Sequence, residues 1–67
     1  MSSMLDYIKT VLQKVSFDKG LFEKELKKGL KLLRIEDVKM LRDWCYEQFS
    51  DRYYAVLNQC FSQRLAL

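Results

Sequence analysis

The chain contains no proline and only two glycines, Gly20 and Gly29. Proline fixes φ and removes a backbone donor, and glycine supplies the positive φ that most tight turns need. An all-β sandwich or barrel requires such residues every ~8–12 positions, so that class is excluded. Of the 67 residues, 49% are apolar and 31% charged, a balance that excludes disorder. The longest unbroken apolar run, Tyr53–Leu57, is far too short to span a membrane. No basic-then-apolar stretch of the signal-peptide type opens the sequence, and a cytoplasmic location is expected.

What remains is helix. Met4, Ile8, Val11 and Val15 follow helical spacing, with Leu5 and Leu12 beside them, predicting a helix over about 3–15. Phe22, Leu26, Gly29, Leu30 and Leu33 share a face of a second, over about 19–33. Val38, Leu41, Cys45 and Phe49 mark a third, over about 36–49. Tyr53, Val56, Leu57, Cys60 and Phe61 mark a fourth, over about 51–64. The predicted fold is all-α: one domain over 1–67, a small bundle of three or four short antiparallel helices with tight joints. Two heptads of apolar spacing are too few for a long coiled coil.

The joints carry capping signals. Asp18 is a good N-cap, with Phe17 and Phe22 placed as a hydrophobic staple. Ser50 repeats the pattern with Phe49 and Tyr54. The third start is weaker: Glu36 and Asp37 suit the positive end of a helix, but neither Arg34 nor Ile35 is a natural cap. No glycine or proline near residue 50 separates the third helix from the fourth. Their apolar stripes, however, differ in phase by roughly 100°, so a break is expected there.

Several chemistries are missing. Without histidine there is no Ser-His-Asp or Cys-His arrangement, and the commonest general base and zinc ligand are absent. There is no C-x-x-C, P-loop or glycine-rich nucleotide motif. The carboxylate pairs Glu36–Asp37 and Asp43–Glu47 read as solvated acidic surface. No enzyme, metal or cofactor is expected. Cys45 and Cys60 both fall on apolar stripes and are expected as buried free thiols rather than a disulfide.

Three surface patterns stand out. Lys24, Lys27, Lys28, Lys31 and Arg34 recur at helical spacing and predict a basic face, suited to phosphates or an acidic partner. Most such lysine faces are simply solvated. The fourth helix sets Ala55, Asn58, Gln59, Ser62, Gln63 and Ala66 opposite its stripe, a small neutral side that permits close helix approach. Met40 and Trp44 form an apolar i, i+4 pair at the margin of the third stripe. A chain this small buries only about 60% of its unfolded surface. Nine aromatics are hard to hide in such a body, so a second copy or another protein is expected to cover the excess. The expected function is a non-catalytic interaction or assembly module, a homodimer whose interface includes Met40, Trp44, Tyr54, Asn58, Phe61 and Leu65. The alternative is a small nucleic-acid-binding protein using the basic face of the second helix.

Overall fold

The computed structural model describes residues 3–65, with side chains over 3–63. It is all-α: α1 spans Met4–Lys14, α2 Lys19–Leu32 and α3 Ile35–Leu65, with no strand among the described residues. The chain forms two compact units, Met1–Leu33 and Arg34–Leu67.

In the first unit, α1 opens on a cap that sequence reading passed over. Ser3 Oγ accepts from the Asp6 N–H at 3.1 Å, and Asp6 sits in the positive first turn. Lys14 complements the other end. The helix closes with the Val15 N–H on the Val11 carbonyl, and the next chain segment turns through residues 15–17. Asp18 then caps α2 as expected, its Oδ1 accepting from the Leu21 N–H at 3.0 Å. The expected staple is not made. Phe22 is fully buried on the core stripe, whereas Phe17, held in the turn, is 73% exposed.

The buried face of α2 is the expected one: Phe22, Leu26, Gly29, Leu30 and then Leu33. That of α1 is rotated. Leu5, Ile8 and Leu12 are buried, while Met4 is half-exposed and Val11 and Val15 lie at the margin. The apolar residues of α1 span an arc of about 160°, from Tyr7 through Val11, Met4, Ile8 and Leu12 to Leu5, wider than the strip that is buried, so spacing alone does not fix which edge faces inward. Packing against α2 selects the Leu5–Ile8–Leu12 face, because Ile8 seats on the bare backbone of Gly29. A Cβ built at Gly29 would stand 3.0 to 3.3 Å from three carbons of the Ile8 side chain.

In the second unit, the Arg34 carbonyl accepts from the N–H groups of both Asp37 and Val38 at 2.9 Å, starting α3. Glu36 and Asp37 occupy its first turn. The third and fourth expected helices are joined: α3 runs 31 residues, with non-helical dihedrals at Tyr53 (φ −126°, ψ 29°). The bend therefore lies slightly beyond the expected break. Ser50 remains helical and caps nothing, because the chain reverses at one residue without a loop. Tyr54 is 60% exposed and packs on Tyr46 rather than closing a staple with Phe49.

The bend is sharp. Tyr46 hydrogen-bonds Asn58, and its ring lies 6.4 Å from that of Phe61. In a straight helix, residues twelve apart are separated by about 18 Å along the axis. The limbs before and after Tyr53 are therefore folded against each other. Val38, Leu41, Cys45 and Phe49 on one limb, with Tyr53, Val56, Leu57, Cys60 and Phe61 at and beyond the bend, are all buried as expected. Cys45 and Cys60 are both buried and are not joined in a disulfide.

The Gly29 contact sets a prediction. In an open helix, glycine to alanine gains about 1 kcal/mol of helix propensity. Here the added methyl meets Ile8, and overpacking costs about 1–3 kcal/mol. Gly29→Ala is expected to lower unfolding stability by about 1 kcal/mol net in urea titration. The loss should shrink in an Ile8→Val background, which removes one of the crowding carbons.

Candidate functional site

The residues expected to form one interface do not form one patch. Met40 is 55% exposed and Trp44 half-buried, its ring edge-on to Phe49 at 5.5 Å. Tyr54 and Asn58 are exposed and gather around Tyr46. At 100° per residue, Trp44 and Tyr46 point about 160° apart around the helix axis. Met40–Trp44 and Tyr54–Asn58 thus flank opposite sides of the buried stripe. Phe61 is buried at 2% exposure and belongs to the core. The side chain of Leu65, and Ala66 of the neutral side, lie outside the described residues.

Tyr46 is the residue that sequence reading missed. It sits at the margin of the stripe, with no apolar spacing to single it out. Its hydroxyl donates to Asn58 Oδ1, its ring meets Tyr54 edge-on at 6.0 Å, and it tilts against Phe61. Burial is the main cause that pushes the Tyr46 phenol above its usual pKa of 10, with Tyr54 adding to the rise and Arg42 opposing it. The phenol is therefore held in its donor form. The Asn58 amide, expected to face a partner, has its oxygen engaged within the chain. The only sequence signal was numerical: positions 46 and 58 are equidistant from residue 52, next to the bend.

The basic face is four residues, not five. Lys24, Lys27, Lys28 and Lys31 are all exposed on one arc of about 100° of α2. Arg34 is not on it. The helix ends at Leu32, and Leu33 is extended (φ −90°, ψ 150°), so helical phase no longer carries to Arg34. Its Nε pairs instead with Glu36 at 3.1 Å. Lys27 is held by Glu23 one turn back, at 3.1 Å. These exposed pairs are worth about 0–1 kcal/mol each.

Between α1 and α2 runs a shallow groove of about 50 Å³. Ile8 and Gly29 line it with Val11, Tyr7 and Leu32, and Glu25 and Lys28 stand at its polar margin. Tyr7 is 61% and Leu32 59% exposed, so two large apolar side chains border it in open solvent. Lys28 belongs both to the groove and to the lysine arc.

The Tyr46–Asn58 bond makes a second prediction. Tyr46→Phe is expected to cost about 1 kcal/mol, the net value of one such bond. Because the folded-state pKa is raised, the unfolded chain loses its phenol proton first. The phenol's stabilising contribution is then fully present below pH 10 and is lost as pH rises through the raised native value. Unfolding followed from pH 8 upward should show that alkaline loss in the natural chain and a smaller one in Tyr46→Phe. No family model, curated protein or solved structure matches this chain.

Proposed function

We propose that this chain is a small non-catalytic helical module that works by protein–protein association, first of all with itself, in the reducing setting of the cytoplasm. The observation that carries the reading is the groove in which Tyr7 and Leu32 stand mostly exposed beside Val11. Apolar side chains grouped in this way mark association surfaces, whereas scattered single ones do not. Met40 and Tyr54 add exposed apolar surface on the second unit. The groove is far below the ~300–1,000 Å³ of small-molecule pockets, which favours a protein partner over a ligand. A chain without histidine also lacks the commonest general base. Two buried cysteines not joined in a disulfide suit a reducing compartment.

Sedimentation equilibrium at micromolar concentration tests the reading. The expected result is a mass above that of one 8.1 kDa chain, with an unfolding midpoint that rises with protein concentration. A single-chain mass and a concentration-independent midpoint overturn it.

The lysine arc favours a second reading, a nucleic-acid contact through α2. Four exposed cations on one arc can track phosphates, each releasing counterions. Binding to duplex and single-stranded DNA at about 50 mM salt, weakening steeply as salt rises, is the expected signature. No binding at that salt removes the reading.

A further inference from the structure

The exposed side of the first limb of α3 is the chemical complement of the groove and lysine arc. Within about 60° either side of Met40 lie Glu36, Asp37, Asp43, Glu47 and Asp51, together with Trp44. Those five carboxylates are all the acids of the second unit, and no lysine or arginine falls on that arc. Glu36 and Asp43 make only local pairs, with Arg34 and Arg42. The face is thus an exposed, flexible apolar side chain, Met40, set among negative charges. In the first unit, seven lysines stand against four acids, and the lysine arc borders the apolar groove.

We propose that the groove between α1 and α2 of one copy receives the Met40 face of α3 from another copy. Met40 is the apolar element that meets Tyr7, Val11 and Leu32. Methionine suits a shallow irregular groove because its unbranched thioether adapts to the space available. Asp43 and Glu47, four apart on one helix, face Lys24 and Lys28, four apart on the other. The contact joins unlike surfaces, so every copy carries both halves. Two copies that exchange both contacts close into a symmetric pair, and copies that exchange one form an open chain. The proposal rests on the self-association reading above and specifies which surfaces carry it.

Charge reversal separates the two. The variants Lys24→Glu/Lys28→Glu and Asp43→Lys/Glu47→Lys alter only exposed groups, and far-UV circular dichroism checks that each remains helical. The natural chain should associate, and its association should weaken between about 50 and 500 mM salt as the charges are screened. Either variant alone should associate at least about tenfold more weakly than the natural chain. Mixed in equal amounts, the two should recover association, because the acidic α2 of one then meets the basic α3 of the other. If a reversal lowers helicity, the neutral pairs Lys24→Gln/Lys28→Gln and Asp43→Asn/Glu47→Gln replace it, with a smaller loss in the same direction. Natural chains that associate while the variants associate equally well overturn the proposed surfaces and leave self-association standing. So does a mixture that fails to recover. A natural chain that stays monomeric overturns both.

Discussion

Burial of apolar stripes with no polar group among them is the interaction on which the rest of this protein depends. Every side chain buried among the described residues is apolar, from Leu5 in α1 to Phe61 in α3. Burial of this kind is non-directional and scales with the area removed from water. It says how strongly helices stay together but not in what register. Register comes from smaller features placed at the right points: the Asp18 cap, the Gly29 seat for Ile8, and the Tyr46–Asn58 bond across the bend. Each is worth about 1 kcal/mol, far less than the stripe it orients.

How much of this was legible in the sequence follows from how local each feature is. The stripes of α2 and of both limbs of α3 were readable because the residues picked out there by helical spacing are the ones the structure buries. That of α1 was not. Met4, Leu5, Tyr7, Ile8, Val11 and Leu12 spread over an arc of about 160°, and a neighbour decides which edge of it is buried. Asp18 and Ser50 carried the same local signal, yet one caps and the other does not. The difference lies in whether the helix truly stops. After Lys14 it does, but after Phe49 it continues until Tyr53 alone absorbs the reversal. Arg34 left the basic face for a related reason, since periodicity extends only as far as the helix that generates it.

The candidate surfaces were legible in composition and misread in arrangement. Met40 and Trp44 were correctly placed at the margin of a stripe, and Lys24 to Lys31 on a common face. Joining Met40–Trp44 to Tyr54–Asn58 required both to lie on one side of the bent α3, and the bend puts them on opposite flanks. The groove beside Gly29 was invisible because it is made by two helices together. Its apolar border, Tyr7 and Leu32, consists of residues that amphipathic spacing assigns to neither the core nor the polar face.

The bend at Tyr53 also has a kinetic consequence. Tyr46 and Asn58 meet across twelve residues of chain, and Ile8 and Gly29 across twenty-one. Each unit is completed by closing one short loop, and no strand among the described residues has to be recruited from a distant part of the sequence. Helical proteins of such low contact order fold in about microseconds to milliseconds. The buried stripes are therefore exposed only briefly after the chain is released. Sticky intermediates have little time to find the wrong partners, and the apolar side chains left exposed are those of finished hairpins.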